Sequence, residues 1–165
     1  MKRESGTMFV KGLTDEDFVN YQKPSMFVAF PNCSFKCDKE AGCSICQNSR
    51  LANEENIDIS AIEIVSRYVK NPLTKAVVFG GLEPFDSWCD MCELIQELRR
   101  FTEDDIVIYT GYKADEVACQ TYWLGNKYKN IIVKFGRFVP DQDKKFDETL
   151  GIELASPNQY ARRIS

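Results

Sequence analysis

The chain contains no histidine. That absence excludes Ser-His and Cys-His nucleophile pairs, histidine-bearing zinc sites and any acid–base scheme built on imidazole. No apolar run is long enough to cross a bilayer, and residues 1–9 lack the charged-then-apolar order of a secretory signal. Positive charge is short as well: 21 Lys and Arg stand against 25 Asp and Glu, a net charge of -4. Neither a membrane nor a nucleic acid is therefore expected as a partner, since nothing supplies a broad phosphate-neutralising face. The seven cysteines are odd in number and unevenly spaced, so no paired disulfide framework is legible. Reduced thiols in a cytoplasmic protein are the expectation.

What is present suits one core. A length of 165 residues with 44% hydrophobic and 28% charged side chains predicts a single globular domain over 1–165. Residues 1–24 read as a polar N-terminal extension, with a short strand at 8–10 and a helical turn over 15–21. Short apolar runs at 26–30, 76–79, 106–110 and 131–135 predict strands. Helical spacing appears over 60–70, from Asp86 or Ser87 as cap to about Arg100, and over 114–124. On the first helix Ile62, Val65 and Val69 share a face, with Ile64 and Tyr68 beside it. Asn71-Pro72 and Gly125-Asn126 read as helix stops. Residues 136–165 form an aperiodic tail with one extended segment near 150–154. Strand, loop and helix alternate three times and close on a strand. The expectation is α/β: an open parallel sheet flanked by helices, a partial (βα) barrel.

Ligands in such folds gather beyond the carboxyl ends of the strands. Three stretches fall there: a cysteine loop after residue 30, Gly80-Gly81, and Thr110-Gly111. The loop reads Cys33-Ser-Phe-Lys-Cys37-Asp-Lys-Glu-Ala-Gly-Cys43-Ser-Ile-Cys46, four thiols in fourteen positions. Soft thiolates select zinc, copper(I) or iron–sulfur clusters. One reading closes all four around a structural zinc, although only five residues separate Cys37 from Cys43. The spacing does not match a four-cysteine ferredoxin cluster. The other reading uses three thiols on a [4Fe–4S] cluster with one iron left open. Cys89 and Cys92 form a second C-x2-C, but within a predicted helix; they and Cys119 read as small buried hydrophobes.

The loop resembles that of the radical S-adenosylmethionine (SAM) enzymes, whose pattern is C-x3-C-x2-C with an apolar residue before the last cysteine. Cys33 to Cys37 supplies the first half, and Ile45-Cys46-Gln47-Asn48 is similar to the end of the loop in glycyl-radical-enzyme activators. The chain departs from the pattern by placing eight residues between Cys37 and Cys46. Gly80-Gly81-Leu82-Glu83-Pro84 resembles the family's G-G-E-P stretch, with Leu82 inserted. Tyr109-Thr110-Gly111-Tyr112 and Ser156-Pro157-Asn158-Gln159 resemble segments of the anaerobic ribonucleotide reductase activating proteins.

That resemblance implies a radical SAM enzyme with a [4Fe–4S] cluster held by Cys33, Cys37 and Cys46, Cys43 being the alternative third ligand. It implies SAM bound by Asn48, Gly80, Gly81, Glu83, Thr110 and Gly111, with Asn158 and Gln159 left without a role. No catalytic residue is expected beyond the cluster ligands. Reductive cleavage of SAM would give a 5′-deoxyadenosyl radical that makes a glycyl radical on a partner, an anaerobic ribonucleotide reductase. A low-potential electron donor is the second implied partner. The alternatives are another protein or small-molecule substrate, or a non-catalytic zinc- or cluster-binding module.

Overall fold

The computed structural model describes residues 6–165. Residues 1–5 of the expected N-terminal extension lie outside them. Fifteen elements follow in order: β1 (Met8–Val10), β2 (Gly12–Asp17), β3 (Ser25–Phe30), α1 (Lys36–Ala41), α2 (Ser49–Ala52), β4 (Ile57–Ile59), α3 (Ala61–Lys70), β5 (Ala76–Gly81), α4 (Trp88–Leu98), β6 (Asp105–Tyr109), α5 (Ala118–Lys127), β7 (Ile131–Phe135), β8 (Lys145–Asp147), β9 (Ile152–Leu154) and β10 (Tyr160–Arg163). A 3-10 turn over Pro84–Ser87 leads into α4.

The main sheet has six strands in the order β10-β7-β6-β5-β3-β2. Its four inner strands are parallel, as the alternation of strands and helices requires, and both edge strands run antiparallel. The sheet is open, an α/β domain and not a closed barrel. The pleat sends alternate residues to opposite faces. Phe79, Ile106, Ile108, Val133 and Phe135 face one side, where α3, α4 and α5 cover them with residues such as Ile64, Leu94, Ile95 and Leu124. Ala76, Val78, Val107 and Ile132 face the other, where Tyr21, Leu150, Ile152 and Leu154 from loops and β9 cover them. All three long helices therefore sit on one face, and the second face is free to shape a hollow.

Several expectations need correction. Residues 15–21 are not a helical turn: β2 extends to Asp17, whose carboxylate then accepts from Val19 N and Asn20 Nδ2 and turns the chain. The buried stripe of α3 is Ala61, Ile64, Val65 and Tyr68, whereas Ile62 and Val69 are 67% and 53% exposed. The two stripes overlap, and the one ending in Tyr68 wins because that ring buries while its hydroxyl reaches Asp104 at 2.6 Å. Neither Asp86 nor Ser87 caps α4 with its side chain. α5 starts at Ala118 and runs through Gly125-Asn126 to Lys127. Gly125 is there for space: a Cβ would lie 2.7 Å from the Ile164 carbonyl oxygen. The tail is more ordered than its pattern suggests, since β8 pairs with β9 and β10 pairs with β7.

Asp105, at the start of β6, ties the amino end of the sheet together. It accepts from Tyr21 (2.9 Å), Lys23 (2.6 Å) and Arg163 (2.9 Å), so one buried carboxylate holds the segment before β3 and the last strand. Burial by itself would raise its pKa; those hydrogen bonds outweigh burial and hold it below the usual aspartate value. A depressed carboxylate contributes stability that is present above its unfolded-state pKa and lost as pH falls through the folded one. The urea midpoint should therefore decline below about pH 4. Asp105→Asn should flatten that decline; parallel curves for the two proteins would show that Asp105 carries none of it.

Candidate metal centre

Three strand exits meet at the carboxyl edge of the sheet. Gly81 has φ +84 and no room for a side chain, because a Cβ would stand 2.7 Å from Ala29 Cα on the neighbouring strand. Gly80 faces the hollow, where a Cβ would meet the Phe27 ring at 2.8 Å. Glu83 follows and is 4% exposed. Its N–H donates to the Asn32 carbonyl (2.8 Å), Oε1 accepts from Phe85 N (3.1 Å) and Oε2 accepts from Gly111 N (2.9 Å). One residue thus joins the loops leaving β3, β5 and β6. Burial pushes its carboxyl up to about 7, against the lowering effect of those N–H groups and of Thr110.

The cysteine loop is folded by its own polar groups. Asp86 Oδ2 accepts from Ser34 N (2.6 Å) and Oδ1 from the Tyr112 hydroxyl (2.5 Å). Asp86 therefore anchors the loop's start instead of capping α4, while the Ser87 hydroxyl accepts from Asn32 Nδ2 (3.0 Å). Phe35 turns the chain with φ 52, a left-handed conformation unusual for so large a residue, and α1 begins at once. Cys37 stands on α1. Gly42 ends that helix in the left-handed region. The eight-residue spacer then doubles back, because Asp38 Oδ1 accepts from both Ile45 N and Cys46 N at 2.8 Å. Asn48 completes the return, donating its amide to the Gly81 carbonyl at 2.8 Å.

The result is one cavity of about 330 Å³. Cys33, Cys37 and Cys46 line it, as do Asn48, Gly80, Gly81, Glu83, Thr110, Gly111 and Gln159. Cys43 does not: it is exposed, with its sulfur 3.7 Å from the Ala41 carbonyl oxygen. Asn158 stays behind the wall, donating to the Arg137 carbonyl at 2.9 Å. Phe30, apolar and next to the loop, faces away; its ring packs on Phe79 in the helical core.

Burial pushes the Cys33 thiol up to about 11 and also raises Cys46; the charges of Glu83 and Asp86 add to the first and that of Asp38 to the second. Metal binds the thiolate form, so loading would release protons. Among the described residues, no group of three or more Cys, Asp or Glu side chains is gathered tightly enough for a single ion. Sulfurs around one zinc lie within about 4 Å of each other. A cube gives each thiolate its own iron and so accepts a wider spacing. Three thiols spread around one cavity, with a fourth turned outward, fit a cluster better than a closed four-sulfur zinc site.

Two cations were missed in the sequence. Lys134, from β7, is 8% exposed on the cavity wall; burial lowers it to about 8, opposed by the Glu83 and Cys37 charges. Its Nζ lies 5.6 Å from the Tyr109 ring centroid. Only a lysine inside an otherwise apolar strand, Ile131-Ile132-Val133-Lys134-Phe135, signalled it. Arg137 bonds Glu40 on α1 (2.8 Å), Glu116 (2.7 Å) and the Gly111 carbonyl, and its Nε has no partner. Arg137 in turn holds Glu116 down to about 2. It braces the cysteine helix against the β6 exit.

If Asp38 is what returns Cys46 to the cavity, Asp38→Ala should make Cys46 alkylate several-fold faster in metal-free protein. Cys43 should react at an unchanged rate. Equal reactivity of Cys46 in both proteins would contradict the role given to Asp38.

No curated protein matches the chain, and no solved structure matches it. A family does: residues 23–159, which include the cysteine loop, the glycine turn and the Gln159 end of the cavity, match the 4Fe-4S single cluster domain. That match spans well over half of the chain, and the chain belongs to the family of 4Fe-4S single cluster domains.

Proposed function

We propose that this protein is a radical SAM activating enzyme: Cys33, Cys37 and Cys46 hold the cluster, and the product is a glycyl radical on an anaerobic ribonucleotide reductase-like partner. The observation that carries this reading is the lining of the cavity. Three thiols, the Gly80-Gly81 turn and Thr110-Gly111 share it, and Cys43 does not. When bound, a cluster with one iron free of protein ligands supplies the electron that splits the SAM sulfonium.

The chain's own residues bind and orient. Gly80 and Gly81 let the backbone approach the methionine end of SAM closely. Glu83 has each oxygen engaged by one N–H, which leaves lone pairs for an ammonium group. Lys134 offers buried positive charge to a carboxylate in the same cavity. Asn48 spends its amide N–H on Gly81 and keeps its carbonyl oxygen for the ligand. Thr110 and Gly111 line the wall where adenosine would lie. A cavity of about 330 Å³ is at the small end of pockets that hold one ligand. In this reading SAM shares the cavity with the cluster, the second substrate is a chain segment presented by a partner, and a low-potential donor supplies the electron.

The test is a pair of variants under anaerobic reconstitution. Cys43→Ser should keep the brown cluster and form 5′-deoxyadenosine from SAM on reduction, at nearly the wild-type rate. Cys46→Ser should lose both. The reverse result, or a colourless wild type holding one zinc, would defeat the assignment. Co-expression with a reductase should give a glycyl radical signal; SAM cleavage without it would point to another substrate.

A further inference from the structure

Cys89 and Cys92 lie outside the cavity and outside everything proposed above. They occupy the first two turns of the eleven-residue helix α4. Positions i and i+3 of a helix have Cα atoms about 5 Å apart. Disulfides bridge Cα separations of roughly 4.4–6.8 Å with Cβ atoms about 3.8 Å apart, so closing this pair draws Cβ atoms that a regular helix holds about 5–6 Å apart together by a local shift of the first turn. The expectation that both are buried hydrophobes fails for Cys89, which is exposed, as is Cys119. Cys92 alone is half-buried and packs against the core. The pair therefore has an outer and an inner sulfur.

The inner thiol is pushed up to about 11, by burial first and then by the charge of Cys89; Lys127 opposes this. Cys89, Cys92 and Lys127 line one groove. That groove shares no lining residue with the cavity at the strand ends. Trp88 meets Trp123 edge-to-face at 5.6 Å, Trp123 meets Tyr128 at 6.0 Å, and Lys127 Nζ lies 4.5 Å over the Trp123 ring. Aromatic walls accept sulfur and apolar side chains.

We propose that Cys89 and Cys92 are a redox-active dithiol that reduces disulfides docked in the aromatic groove of α4 and α5. The Cys89 sulfur, as thiolate, attacks one sulfur of R–S–S–R. The S–S bond breaks, a mixed disulfide forms, and RS⁻ leaves and takes up the proton that Cys89 released. Cys92 then loses its proton and attacks the Cys89 sulfur. The Cys89–Cys92 bond forms and the second thiol departs with that proton. Two electrons and two protons pass from the dithiol to the substrate. Cys89 is the outer nucleophile because it is exposed; Cys92 is the resolving thiol because it is sheltered behind it.

The experiment uses the reduced, anaerobically reconstituted protein, with thiols trapped by alkylation and mapped by peptide mass. Glutathione disulfide should leave wild type with a linked Cys89–Cys92 peptide, two hydrogens lighter. Cys92→Ser should stop at one glutathionyl group on Cys89, and Cys89→Ser should show neither product at this pair. Insulin provides the protein-disulfide arm. Its reduction alongside glutathione disulfide would make protein disulfides substrates, and reaction with glutathione disulfide alone would limit them to small molecules. Two free thiols at these positions after both challenges, or a lasting glutathionyl group on wild-type Cys89, would overturn the proposal. Neither outcome depends on the cluster ligands or on SAM cleavage.

Discussion

Glu83 is the constraint on which the arrangement of the strand ends depends. A carboxylate buried this deeply is costly unless its oxygens are bonded. Glu83 meets that demand with N–H groups from two different loops, and its own N–H reaches a third. The exits of β3, β5 and β6 are held in one place by the requirement that this group be satisfied. Gly81 allows it, because only a residue without Cβ can end β5 so close to Ala29. The cavity is what remains between the three loops once they are tied.

Within that frame the cysteine loop solves a separate problem. Eight residues between the second thiol and Cys46 would ordinarily let the third sulfur wander. Asp38 removes that freedom by accepting two consecutive N–H groups, and Arg137 and Asp86 fix the loop from the other side. The insertion becomes an outward bulge that carries Cys43 away and leaves Cys46 at the cavity. A long spacing and a three-thiol site are compatible here because a side chain on α1 closes the detour.

The inner strands and the three long helices were legible because each carries a strong apolar period or run. The apolar run at 131–135 coincides with β7, Ile131–Phe135. The thiols and glycines of the cavity were legible from residue type and order, with the resemblance to guide them. Elements held by pairing alone were not. β4, β8 and β10 are three or four residues long, with little apolar pattern to announce them. The supporting side chains were also silent. Asp38 and Arg137 look like ordinary surface charges until the fold brings distant partners to them. Asp86 has a helix-capping residue's type and place, yet the loop start and Tyr112 compete successfully for its oxygens. α5 ran past Gly125 because the space left by that missing Cβ is filled by the C-terminal segment, which the local sequence cannot reveal.

If Cys33, Cys37 and Cys46 hold a cluster with one iron open to SAM, as proposed, low-temperature electron paramagnetic resonance reads that iron directly. Reconstituted, reduced protein should hold about four irons per chain and give the signal of a reduced [4Fe–4S] cluster. Adding SAM should change that spectrum, since a ligand has entered the coordination sphere of one iron. A cluster spectrum that SAM leaves unaltered would mean that every iron is already closed by the protein, and would contradict the claim.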